Sequence, residues 1–319
     1  MNKCSLVVAG LLASLLLQGC ARRDAAPGAT APPPADTETM ECGALPITVT
    51  AGTDEARMTA AGRQYRLQRV RSASGSRYRA VDTADTELWT RGERARLVLA
   101  GEPLPVCLAP GAVPRPFEAR GNEPFWRLVL DGAGATLERP AEEPLRGRFR
   151  WQSRTAERSR GQATLGSDRA TVTVRHSPCR DSMSGMPHPR TVTIDWRGHR
   201  LRGCGGDPLR LLRGGPWHVA DLPGRERVHG ATATVRFLEE GRLAGNASCN
   251  RYTGRYELTG AGLGLEPGAT TRMACEPAVM EQEARLLARL QRVRRFRIGE
   301  AGGIELLGSR DVLVRLRRP

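Results

Sequence analysis

Six cysteines in the body of the chain limit its folding more than any other feature. Eight occur in 319 residues, and two of them, Cys4 and Cys20, fall in the first twenty. The others are Cys42, Cys107, Cys179, Cys204, Cys249 and Cys275, an even number that implies disulfides in an oxidising compartment. Several pairings are possible. The sequential one places Cys42–Cys107, Cys179–Cys204 and Cys249–Cys275 each inside one stretch bounded by turn-rich sequence. Composition breaks at residues 110–116 and at Arg213-Gly214-Gly215-Pro216, giving segments 40–110, 111–213 and 214–319 with no internal repeat between them. A bridge closing a loop as long as the first would contribute roughly 4 kcal/mol, which matters for a domain with so small a core.

Cysteines can also hold metal. The middle segment offers His176, Cys179, Met183, Met186 and His188, soft donors of a kind that suits copper. No Cys-x-x-Cys spacing accompanies them, and Cys204 stands ready as a disulfide partner. No metal and no cofactor is expected.

The start of the chain is of a different kind. Met1-Asn2-Lys3 is a short positive opening, followed by an apolar run from Leu6 to Leu17 that is too short to span a bilayer. It ends in Leu16-Leu17-Gln18-Gly19-Cys20, which resembles a bacterial lipobox. That resemblance implies a signal peptide over 1–19 and lipidation of Cys20, including palmitate-type acylation. In lipoproteins of this kind Asp after the lipidated Cys favours the inner membrane; Ala21 here implies the outer membrane, with the protein facing the periplasm. Residues 20–39, rich in Ala, Pro, Gly and Thr, read as a semi-extended tether.

Charge narrows the function classes. The formal net charge is +15, carried by arginine, since Lys3 is the only lysine. The excess is spread: 10 arginines face 8 acids in 40–110, and 17 face 12 in 214–319. The densest run, Arg292 to Arg297, falls at the end of an expected helix, where cations suit the helix dipole. No basic stripe interleaved with aromatics exists, so no nucleic-acid partner is expected.

Short apolar–polar alternations dominate all three segments, so the fold class is mainly β: small antiparallel barrels or sheets, the C-terminal one α+β with a single covering helix. In 40–110 the expected strands are 47–50, 63–70, 76–80, 86–89 and 95–99. The segment has no histidine and no nucleophile paired with a base, so catalysis is not expected there.

Within this segment Ser72-Ala73-Ser74-Gly75-Ser76-Arg77-Tyr78 and Leu88-Trp89-Thr90-Arg91-Gly92-Glu93-Arg94-Ala95 lie between Cys42 and Cys107. Together they resemble the membrane-bound inhibitors of c-type lysozyme, the MliC family. The resemblance implies that the Ser of the Ser-Gly motif and the cation of the Trp-x-Lys-Gly motif enter the lysozyme cleft. Those positions are Ser74 and Arg91, with Gly75 letting the loop approach and Tyr78 and Trp89 completing the contact set from beneath. Two departures are visible. Arg91 stands where the family has Lys, and the stretch between the motifs is a few residues longer, which implies an altered hairpin tip over 79–86. Residues 40–110 alone are expected to suffice for inhibition.

The middle segment carries Gly121-Asn122-Glu123-Pro124-Phe125-Trp126 and Cys179-Arg180-Asp181-Ser182-Met183-Ser184-Gly185. These resemble an uncharacterised envelope lipoprotein domain, which implies β structure and no activity. Glu123 and Asp181 are candidates for an acid pair, but two loop carboxylates more often cap turns. In the last segment, Cys249-Asn250-Arg251-Tyr252-Thr253-Gly254-Arg255-Tyr256 and the approach to Cys275 resemble the META (HslJ-like) domain. That resemblance implies a role in envelope stress and drug tolerance. Pro277 opens a helix whose apolar face is Leu286, Leu287, Leu290 and Val293. Asn250 is read as stabilising a turn beside a disulfide.

The sequence as a whole reads as a non-enzymatic, outer-membrane lipoprotein. Its expected partners are a c-type lysozyme and, through the lipid, the membrane. The competing reading is an envelope-stress protein acting through the META-like segment.

Overall fold

The computed structural model describes residues 36–318 apart from 225 and 227. The expected signal peptide, Cys20 and nearly all of the tether lie outside the described residues. The fold is mainly β, with one helix of more than a single turn among the described residues. Among the described residues no helix is long and apolar enough to cross a membrane.

The first sheet has nine strands, and pairing of Glu87–Arg91 with Arg94–Leu99 closes it into a ring. Strict alternation builds its interior: in Glu55–Ala60 only Ala56, Met58 and Ala60 are buried. Small and large inward residues (Ala95 beside Leu97, Ala60 beside Met58) fill the narrow barrel. The first strand is Asp36–Cys42, so residues 36–39, expected to be tether, pair with 48–51 instead. Cys42 and Cys107 are register partners on neighbouring strands and form a disulfide.

Residues 117–205 form a closed barrel of eight antiparallel strands. Phe117, Trp126, Leu128, Val172, Val192, Ile194 and Trp196 fill it. The Cys179–Cys204 disulfide ties the loop between the strands Asp168–Arg175 and Arg190–Trp196 back onto the barrel wall.

The C-terminal sheet has eight strands, with the helix Pro277–Gln291 packed on it. Pro277 sits in the first turn, and Leu286 and Leu290 are fully buried, with Leu287 partly so; Val293, just past the helix, is buried too. Burying each such side chain contributes roughly 1.5–3 kcal/mol.

These bodies share a seam. Ala44 of the first barrel and Met186 of the second lie in the C-terminal core. The Ala44 N–H donates to the Arg213 carbonyl at 2.7 Å. Gly43 (φ 69°) and Gly214 (φ 127°) face this crossing. A Cβ on Gly43 would lie 2.2 Å from the Arg213 oxygen, and one on Gly214 would lie 2.3 Å from the Cys42 oxygen. Only glycine fits such a close backbone approach.

Candidate functional site

The two motifs of the first barrel meet at one end of a hairpin. Strands Ser76–Ala80 and Glu87–Arg91 pair with Ser76 opposite Thr90, so Ser74 and Gly75 lie alongside Thr90 and Arg91. The Trp89 indole N–H donates to the Ser74 carbonyl at 2.8 Å, and the Ser72 hydroxyl donates to the same oxygen at 2.8 Å. Gly75 holds φ at 68°, and a Cβ there would stand 2.2 Å from the Thr90 oxygen. The Thr90 hydroxyl adds a bond to the Ser76 carbonyl at 3.3 Å. The Ser74 backbone is therefore fixed from both sides while its side chain is exposed.

Arg91 is exposed and has no side-chain partner among the described residues; it pairs through its backbone with Arg94 across the turn Gly92-Glu93. Its neighbours are differently disposed. Arg77 makes a bidentate pair with Glu87 at 2.6 and 2.9 Å, holding that carboxyl below its ordinary range. The Arg96 guanidinium lies 5.7 Å from the Trp89 ring centre, a cation–π contact that stiffens the indole. The end of the hairpin thus presents a hydroxyl and an unpaired cation on a backbone with little freedom.

Tyr78 departs from expectation. It is 4% exposed, inside the barrel core, because its position alternates inward with Leu88, its register partner. It can support the site but cannot touch a partner. The stretch between the motifs turns back after Ala80. There Val81 N–H bonds to the Arg66 carbonyl and Asp82 pairs with Arg66 at 3.0 Å. That tip is at the opposite end of the hairpin from Ser74 and Arg91.

The other candidates resolve into scaffold. Asn122 donates to Asp181 and to Ser182, both at 2.9 Å, joining the two motifs of the middle segment. Burial alone would raise the Asp181 carboxyl, but bonds from Ser184, Asn122 and Met183 outweigh it and hold the group low. With its oxygens so engaged, Asp181 forms no acid pair with the exposed Glu123.

Four of the five soft donors are engaged separately, and Met183 is exposed. His176 contacts the Ser159 hydroxyl at 2.8 Å, Cys179 is in its disulfide, Met186 is in the C-terminal core, and His188 Nδ1 donates to the Gly206 carbonyl. Among the described residues no group of three or more His, Cys, Asp or Glu could hold a metal ion. Because the Ser159 hydroxyl donates to the Gly111 carbonyl at 2.8 Å, it accepts from His176 and is not activated as a nucleophile.

In the C-terminal sheet Asn250 spends its side chain internally. It accepts from Met273 N–H and the Thr271 hydroxyl, and it donates to the Met273 carbonyl and Glu283. Glu283, on the helix, is buried and also accepts from the backbone of Cys249 and Asn250. The Cys249–Cys275 disulfide closes the same cluster.

Comparison with protein families gives two matches. Residues 41–103 match the family described as membrane-bound lysozyme-inhibitor of c-type lysozyme, and residues 210–319 match the META domain. The chain thus carries an MliC domain followed by a META domain. No curated protein and no solved structure matches the chain significantly.

Proposed function

We propose that this is an envelope lipoprotein whose first barrel inhibits c-type lysozyme, with Ser74 and Arg91 entering the catalytic cleft. The observation that carries this reading is the junction of the two motifs. The Trp89–Ser74 bond and the Gly75–Thr90 approach hold an exposed hydroxyl and an unpaired guanidinium at one end of a hairpin. The family match over 41–103 supports the class of partner.

The chemistry is non-covalent. A retaining glycosidase cleft holds two carboxyl groups about 5 Å apart. A guanidinium between them forms charge-assisted bonds contributing roughly 1.5–3 kcal/mol, and the planar fork of Arg91 suits bidentate capture where Lys would act as a point charge. Fixing the loop beforehand reduces the ordering cost of binding. The contact area expected is roughly 800 Å² per partner. Tyr78 and Trp89 serve as floor and brace. The anchor at Cys20 and the outer-membrane, periplasm-facing location remain part of the proposal.

The test follows lysis of peptidoglycan-bearing cells by c-type lysozyme through turbidity, with the oxidised full chain added. Dose-dependent protection, lost in both Ser74→Ala and Arg91→Ala, supports the mechanism; no protection at micromolar folded protein overturns it. A second reading rests on the META match: a stress-response role at the envelope. It requires that deletion weaken the envelope without any lysozyme present.

A further inference from the structure

Where the seam between the three β bodies reaches the surface, it opens into a cleft of about 230 Å³. Its wall draws on the first barrel and two connections: Arg94 from the first barrel, Arg115 from the connection to the second, and Arg210 and Arg213 from the short segment leading into the C-terminal sheet. Val106 and Leu209 supply apolar surface between them.

The charges do not balance. Arg213 is paired with Glu239 at 2.6 Å. Arg94 and Arg115 have no side-chain partner among the described residues. Half-buried Arg210 donates only to backbone carbonyls, Val106 at 3.0 Å and Glu41 at 3.2 Å. Behind it lies Arg190, whose nearest acid is Glu41 at 3.7 Å and whose Nε is buried without a partner. One acid, Asp207, lines the cleft, and its Oδ1 accepts from the Leu209 N–H. Burial, and then the charge of Arg190, pull Arg210 down to about 10. Guanidinium groups gathered at one cleft without a carboxylate for each repel one another, and an anion placed among them relieves that repulsion.

We propose that this cleft is an anion-binding site that takes a carboxylate or phosphate group carried on a small apolar body. Arg94 and Arg115 supply free guanidinium forks suited to either oxyanion, and Arg210 contributes its positive field. Val106 and Leu209 contact the apolar part. Because the cleft is lined by the first barrel and by the two connecting segments that follow the first and second barrels, the ligand also ties those segments to the first barrel. The site is independent of the lysozyme reading, since neither Ser74 nor Arg91 lines it.

The test uses the oxidised full chain at fixed ionic strength, titrated with phosphate, phenyl phosphate, acetate or benzoate while the melting temperature is followed. A saturable rise is expected, with the aromatic member of the preferred pair binding about tenfold tighter through apolar contact. Saturation with the phosphates alone assigns a phosphate ligand, and saturation with the carboxylates alone assigns a carboxylate. Arg210 braces the seam and its loss could unfold the chain, so Arg94→Gln and Arg115→Gln are the informative variants. Each should weaken binding about fivefold or more, as expected for losing one charge-assisted contact. A rise matched by chloride, or equal binding by both variants and the parent, overturns the proposal.

Discussion

Glu93, two residues past Arg91 in the same turn, is ion-paired with Arg154 of the second barrel. The Glu93 carbonyl also accepts from the Ala109 N–H at 2.9 Å. The hairpin that carries the candidate inhibitory cation is thus braced from outside its own barrel. Arg154→Ala should leave the fold intact and weaken lysozyme inhibition roughly two- to fivefold, the range of a partly exposed pair. An inhibition titration of the full chain checks this.

Gly75 is the least replaceable residue of the site. Gly75→Ala meets both the positive φ and the 2.2 Å approach to the Thr90 oxygen. Stability should fall by roughly 1–3 kcal/mol and inhibition should be lost, read from urea denaturation alongside the turbidity assay.

Trp89→Phe keeps a ring beside Arg96 but removes the donor to the Ser74 carbonyl. The expected stability loss is about 1 kcal/mol, with weaker inhibition because the Ser74 loop gains freedom. A Trp89→Phe protein that inhibits as well as the parent would remove the brace from the mechanism.

Arg91→Lys should retain most inhibition and Arg91→Ala should lose roughly tenfold or more. Since Arg91 is exposed and unpaired, neither change should move the melting temperature appreciably.

Acid should loosen the second barrel through His176. Burial, and then the charge of Arg190, lower this group to about 4 from its ordinary 6.5. The unfolded chain therefore takes up the proton first, and stability declines as pH falls from about 6.5 towards 4. Glu118, held at about 2 chiefly by the hydrogen bond from Arg127, adds its loss only at lower pH. Denaturation midpoints between pH 7 and 4.5 should fall less in His176→Gln than in the parent.

The strands that were legible in the sequence alternate strongly. Residues 63–70 and 76–80 set arginines outward against Tyr65, Leu67 and Tyr78 inward, and both appear with the expected bounds. Asp36–Cys42 was hidden because its outward positions are Glu and Thr and only Met40 and Cys42 are large and inward. Glu55–Ala60 was hidden because two of its three core residues are alanine, too small to register as a hydrophobic stripe. The two inhibitor motifs were readable as local runs, but the bond that joins Trp89 to Ser74 spans 15 residues and depends on strand register. The role of Glu283 is hidden for a related reason. Its partners lie 33 and 34 positions away, so nothing local distinguishes it from a solvated helix acid. Tyr78 was placed among the contacts on motif membership, and the inward half of the alternation claims it instead.

The crossing of Gly43 and Gly214 sets how the chain can be divided. Cutting at the composition break near Gly214 would strip the Ala44 N–H of its acceptor and uncover Ala44, which sits in the C-terminal core. An excised first barrel would carry that raw edge into solution as a sticky scar. A piece that keeps Arg213 should therefore melt higher than residues 40–110 alone, which thermal denaturation of the two would check.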